Sequence, residues 1–278
     1  MPLFWARNPR ETNFGDELTA LIIPALTGLP VHWSPLNRRC LIGAGSVLGW
    51  LDGGTTQASR VIWGAGLMVE ESTALLHNDL LLRVRGKLTL ERIAEKSSRH
   101  FSSSSWLDSV GLGDPGLITS LAFPHKRPEC PSTILFIPHY VDRYSQDLQQ
   151  LVYANPDIKV LDVAEDPRIL CAEISQARIV LSSALHPLIV ADSYGVPNVR
   201  VKLSDRVGGG DFKFRDYYSV FDSPPVTHAI DMHTLSSSLG SQLTEIVDQY
   251  ERRGITLIMT RLSDSLPDAL RLVGSLGH

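Results

Sequence analysis

The chain has 278 residues, 43% of them hydrophobic, which is enough to bury one large core or two of ordinary size. Its 26 basic and 30 acidic residues leave a formal net charge of -4, so it carries no broad basic field of the kind that nucleic acid or an anionic membrane surface selects. Cys40, Cys130 and Cys171 are odd in number and far apart, which fits neither a disulfide framework nor a zinc site and points to buried thiols in a reducing compartment.

The opening MPLFWARNPRETNFGDE lacks the charged-then-apolar order of a secretory signal, and no apolar run approaches the roughly 20 residues of a bilayer span, so a cytoplasmic protein is expected. In NFGDELTALIIPAL, Asn13 suits a helix cap, Asp16 falls in the first turn, and Leu18, Leu21, Ile22, Ala25 and Leu26 recur at helical spacing, with a kink expected near Pro24. RRCLIGAGSV and RVIWGAGLM follow as buried strands ending in Gly-Ala-Gly, where Gly45 and Gly66 let something approach the backbone closely. DLLLRVRG reads as a third strand with Arg85 at its end, KLTLERIAEK as a helix, and VGLGDPGLI as a strand running into a tight loop. PHKRPECPS, with three prolines and no apolar periodicity, is the expected linker, which divides the chain into units 1–128 and 129–278. Beyond it strands and helices alternate again through TILFIPHYV, QDLQQLVYA, IKVLDV, DPRILCAEISQA, RIVLSS, LHPLIVADSYG and PNVRVKL. SDRVGGGDFKFRDYYSVFDSPP reads as a long loop. Two helices, about TLSSSLGSQLTEIVDQYERR and SDSLPDALRLVGSL, close the chain, the last free to cross back onto the first unit. The class is α/β, with two doubly wound units.

The chemistry-bearing residues fall at the ends of these strands. In SSALH the hydroxyls of Ser182 and Ser183 and the first amides of the next helix share a place with His186, which makes either an anion site with a proton donor or a capped helix with a core histidine. IPHYVD puts His139, Tyr140 and Asp142 after another strand, at the carboxyl edge where α/β folds keep ligands. No third ligand joins the two histidines, so no metal is expected. FKFRDYY gathers Lys213, Arg215 and Asp216 among Phe212, Phe214, Tyr217 and Tyr218, either a grip on an anion under an aromatic cover or a solvated charged loop. The Gly-Ala-Gly runs lack the third glycine and downstream acid of a dinucleotide fingerprint, and Arg85 is a further candidate anion ligand.

Taken in order, NFGDEL, LIGAGSVL, WGAG, VRG with Thr89, GDPGL, IPHYVD, SSALHPLIVADSYGVP and FKFRDYY resemble the polysaccharide pyruvyltransferase family, in particular the shorter bacterial members of the xanthan and succinoglycan type. The resemblance implies two Rossmann-like domains facing across a cleft in a GT-B-like arrangement, acceptor on the first and donor on the second. It implies phosphoenolpyruvate as co-substrate with no other cofactor, and an oligosaccharide or lipid-linked glycan acceptor that can bring the protein to the inner face of the membrane. The reaction so implied makes a pyruvate ketal and releases phosphate. For the reaction so implied, His186, His139 and Asp16 are the expected catalytic residues: His186 or His139 handles protons, and Asp16 assists as base or orients the acceptor hydroxyls, while Arg85, Lys213, Arg215, Ser182 and Ser183 hold the donor's phosphate and carboxylate. Asn13, Gly15, Gly45, Gly66, Tyr140, Asp142, Asp216 and Tyr217 would line the cleft. Two departures stand out: Pro187 follows the histidine where many relatives have glycine, and Ala184 stands where some carry arginine, a role that passes to Lys213 or Arg215. A nucleotide-sugar glycosyltransferase and a non-catalytic sugar-binding relative are the rival readings.

Overall fold

The structure is a computed structural model and describes residues 1–7, 13–51, 58–72, 79–96, 104–222 and 230–275. It contains two parallel sheets. The first takes strands β1 (Pro2–Phe4), β2 (His32–Trp33), β3 (Leu41–Ile42), β4 (Val61–Trp63), β5 (Leu80–Val84) and β6 (Gly111–Leu112) in the order β2-β1-β3-β4-β5-β6. The second takes β7 (Ile134–Ile137), β8 (Ile158–Val160), β9 (Ile179–Ser182), β10 (Asn198–Lys202) and β11 (Ile230–Asp231) in the order β11-β10-β9-β7-β8. Every strand pair is parallel, as the alternation of strand and helix requires.

Period-two alternation distributes the strand side chains between three cores. Leu3, Leu41, Val61 and Trp63 of the first sheet and Leu135, Ile137 and Val180 of the second belong to one continuous cluster. Their neighbours Phe4, Ile42 and Ile62 enter a separate cluster on the other face of the first sheet, and Phe136, Ile179 and Leu181 another on the second. Both faces of each sheet are therefore covered, which is why the strands read as unbroken apolar runs. The shared cluster also holds α1 (Phe14–Thr27) through Phe14, Leu18 and Ile22, and α7 (Leu185–Ser193) through Leu188 and Ile189. The two helices touch each other.

Between these lie α2 (Lys87–Lys96), α3 (Ser104–Ser109), the short α4 (Thr119–Ala122), α5 (Gln146–Ala154) and α6 (Pro167–Gln176). Residues 124–133 link the sheets without regular structure and are largely exposed. The linker's Cys130 is exposed while Cys40 and Cys171 are buried, so the expectation of buried thiols fails at one position. Burial pushes the Cys40 and Cys171 thiols up to about 12.

FKFRDYY is a helix, α8 (Phe212–Tyr218), where the sequence reading has a loop. Phe214, Tyr217, Tyr218 and Phe221 stand at i, i+3, i+4 and i+7 and are all buried, a helical stripe obscured by the glycines before it and the charges within it. Gly86 lets this helix in: a Cβ there would lie 1.8 Å from the Asp216 carbonyl oxygen. The closing helices are α9 (Met232–Gln249) and α10 (Ile255–Ser275), the latter beginning eight residues before the expected start near Ser263. α10 packs on β3 and β4, and Trp63 Nε1 donates to Ser265 Oγ at 2.9 Å. No described helix is long and apolar enough to cross a membrane.

Candidate active site

Each sheet reverses its direction of strand addition once, leaving β1 beside both β2 and β3 and β7 beside both β8 and β9. Loops leaving adjacent strands at such a point diverge and open a crevice at the carboxyl ends. The β1–α1 connection brings Asn13, Gly15 and Asp16, the end of β3 brings Ser46, the end of β7 brings His139, and the β9–α7 turn brings His186. Together with Lys213 of α8 they line one cavity of about 260 Å³.

Two helices begin at this cavity. Asn13 caps α1, its side chain accepting from Gly15 N at 3.3 Å and donating through Nδ2 to Asp16 Oδ2 at 2.8 Å. α7 starts at the extended Ala184 with no side-chain cap, and its first residues, Leu185, His186 and Pro187, line the cavity. Both helix starts present the positive end of their dipoles here. The imidazole of His186 lies against Gly15 so closely that a Cβ at position 15 would sit 1.8 Å from Nδ1 and 2.2 Å from Cγ. Its Nε2 stands 3.7 Å from Asp114 Oδ2.

The electrostatics suit proton transfer at neutral pH. Burial raises the Asp16 carboxyl to about 6, against the opposing pull of His186, the Asn13 hydrogen bond and Lys213. Burial lowers Lys213 to about 8, helped by Arg85 and Arg200, while Asp16 works the other way. Burial and then Lys213 push His139 down to about 4, which keeps its ring neutral. His139 Nδ1 accepts from Val141 N at 3.4 Å, so the ring proton sits on Nε2 as a donor.

Asn13, Gly15, Asp16, His139, Tyr140, His186 and Lys213 are thus brought together, and Gly45 borders them, with Asp16 Oδ1 3.3 Å from where its Cβ would be. The other expected residues go elsewhere. Arg85 is fully buried: Nε donates to Asp216 Oδ2 at 2.8 Å, and the other nitrogens to Ser46 Oγ at 2.5 Å and Leu67 O at 2.6 Å. Asp216 also accepts from Thr89 N and Oγ1, and Gly66 makes room for the Arg85 guanidinium. This is an ion pair tying β5 to α8, not an anion ligand. Arg215 is exposed and pairs with Glu70 at 3.1 Å. Ser182 Oγ donates to Ile137 O at 2.6 Å and accepts from Ala184 N, shaping the turn. Ser183 Oγ donates to the buried Asp142 at 2.9 Å and accepts from His139 N, so this pair braces the histidine loop from behind. Tyr217 OH donates to Asp192 at 2.6 Å, deep in the core. Among the described residues no group of three potential ligands could hold a metal.

Arg7, Ser46, Trp50, Met68 and Asp114 escaped the sequence reading. Trp50 is 53% exposed at the cavity and follows a glycine loop with no distinctive spacing. Arg7 lies over the rings of Trp5 and Trp33 at 4.5 and 4.9 Å, a pairing that only β1 beside β2 creates. The signal that could have found Asp114 is GDPGL itself, an acid in the capping position directly before a proline.

The sequence matches the family described as polysaccharide pyruvyl transferase over residues 43–205, more than half of the chain. It is 31% identical over 172 residues to the uncharacterized protein L143 of Acanthamoeba polyphaga mimivirus, a match covering 60% of this chain and 56% of that one. The chain therefore spans about half the length of that relative. Among solved structures, the E. coli heptosyltransferase WaaC with ADP superposes over 89% of this chain and 98% of its own at 11% identity, with a TM-score of 0.36. That likeness is too loose to carry an argument.

Proposed function

Because the chain belongs to the polysaccharide pyruvyl transferase family, we propose that it transfers the pyruvyl group of phosphoenolpyruvate to two hydroxyls of a sugar in a glycan acceptor, forming a pyruvate ketal and releasing phosphate. The observation that carries this reading is the convergence of Asp16, His139, His186 and Lys213 on one cavity where two helices begin. The donor carries a phosphate and a carboxylate. Lys213 and the two helix starts suit them, since each favours negative charge where little water competes.

The reaction adds a proton to carbon 3 of the donor, and one acceptor hydroxyl attacks carbon 2 as its own proton leaves. The second hydroxyl then displaces phosphate at the same carbon and gives up its proton, so one acceptor proton balances the new methyl group and the other departs with phosphate. Asp16, poised at about 6, suits a group that must both take and return a proton near neutrality. His186 stands beside it, and neutral His139 offers a hydrogen bond to a donor oxygen without competing for protons. The exposed Trp50 and Tyr140 at the same cavity offer flat faces to a sugar ring.

In this reading the two sheets are the cores of two GT-B-like domains, with acceptor on the first and donor on the second. The protein acts in the cytoplasm on a free or lipid-linked oligosaccharide. Phosphate release from phosphoenolpyruvate, measured with a panel of such acceptors, tests it, and a nucleotide sugar is supplied in parallel. Acceptor-dependent phosphate release together with a ketal methyl signal in the product is expected. Consumption of the nucleotide sugar with phosphoenolpyruvate untouched would replace this reading by a glycosyltransferase.

A further inference from the structure

We propose that Asp114 is the positioning residue of His186: it holds the Nε2–H of the imidazole, so that Nδ1 is the nitrogen that exchanges protons in the cavity. The reaction it serves rests on the reading above; the orientation of the ring does not.

Asp114 follows β6, the edge strand of the first sheet, and is fully buried. Its Oδ1 accepts from Gly116 N at 2.8 Å and so caps the 3-10 turn Pro115–Ile118. A serine or asparagine would cap that turn as well, so the cap explains one oxygen and leaves the charge unexplained. Oδ2 is buried and has no hydrogen-bond partner among the described residues, and the same is true of His186 Nε2. These two atoms face each other at 3.7 Å. Two complementary buried groups left apart are costly, and catalytic hydrogen bonds that are long without substrate tighten in the complex with it.

The ring's other nitrogen is on the working side. His186 and Gly15 both line the cavity, and the ring is laid against the Gly15 backbone close to Nδ1, next to Asp16. With Nε2 buried against Asp114, Nδ1 is the nitrogen left for the cavity. A proton taken up there puts positive charge in the first turn of α7, at the positive end of its dipole. The Asp114 carboxylate is placed to offset that charge as it forms. His186 comes from the second sheet and Asp114 from the first, so the pair exists only because α7 packs on the turn that Asp114 caps.

The test is the protonation pattern of the His186 ring nitrogens in the full-length, isotopically labelled chain, followed by kinetics of two variants. The neutral parent ring should carry its proton on Nε2 and none on Nδ1. Asp114→Asn keeps an oxygen for Gly116 N but offers an amide to Nε2, so the ring proton should move to Nδ1. The same variant should lower turnover about a hundredfold while KM for phosphoenolpyruvate stays within about twofold, and it should have no further effect in a His186→Gln background. A parent ring protonated on Nδ1 overturns the proposal, as does parental turnover in Asp114→Asn or an equal loss in the His186→Gln background. If no acceptor supports pyruvyl transfer, the proposed reaction falls while the ring-nitrogen measurement still decides the pair.

Discussion

Replacing Asp16 by asparagine removes a carboxylate from the cavity wall while keeping the side chain's shape and its contact with Asn13. The native environment raises this carboxyl from its ordinary 3.8 to about 6, so the folded state binds its proton more tightly than the unfolded chain does. Between those pH values folding takes up a proton, and stability falls as pH rises. Above about 6 the ionised group costs the fold about 3 kcal/mol at most, at 1.36 kcal/mol for each pH unit of displacement. Asp16 is half-buried and asparagine is still polar, which reduces the gain from the substitution to roughly 1 to 3 kcal/mol. Asp16→Asn should therefore melt roughly 2 to 8 °C higher than the parent at pH 7. The difference should shrink as pH falls through about 6 and level off only below 3.8, where the parent's carboxyl becomes protonated in the unfolded chain as well as in the fold. Turnover should fall at least about a hundredfold. Thermal melts of both proteins across this pH range, with pyruvyl transfer assayed at pH 7, decide it. An asparagine variant that is less stable than the parent at pH 7, or whose advantage does not depend on pH, would refute the claim that this carboxylate is held at a cost to the fold.

Lys213→Met should weaken phosphoenolpyruvate binding about tenfold to hundredfold in KM, and the parent's binding should itself weaken above about pH 8 as Lys213 loses its proton, a limb the variant lacks. Arg85→Met should strand the buried Asp216 carboxylate and cost about 3 to 5 kcal/mol in denaturant melts, with near-parental KM for phosphoenolpyruvate in the folded fraction; a large KM effect on a stable protein would return Arg85 to the donor site. Gly15→Ala puts a methyl group where the His186 ring lies, so turnover should drop roughly a hundredfold while circular dichroism shows the helix intact; parental turnover would mean the ring's seat is not needed.

Much of the architecture was legible because it depends on short-range patterns. Apolar runs bounded by glycine, helical stripes such as that of α1, and their alternation follow from backbone geometry and local burial, and by themselves they put His139 and His186 at strand ends. α8 was missed for a related reason. Its stripe spans only two turns and continues into Phe221, beyond the charged run, so composition outweighed periodicity.

The sequence by itself determined that the chain is α/β and which loops carry histidines and acids, since residue type and spacing already encode which groups a strand or helix must bury. It did not determine which charges face the cavity. Arg85 and Lys213 are equally plausible anion ligands on paper, yet one is consumed by Asp216, Ser46 and Leu67 while the other reaches the cavity, because α2 and the turn before it pack on α8 with Gly86 opening the way. Nor could it join Asp114 to His186 across 72 positions, or place Ser183 behind His139 rather than before a ligand. A charge's role depends on what stands opposite it, and in a fold with two sheets that neighbour comes from the far end of the chain, through packing that no local pattern records.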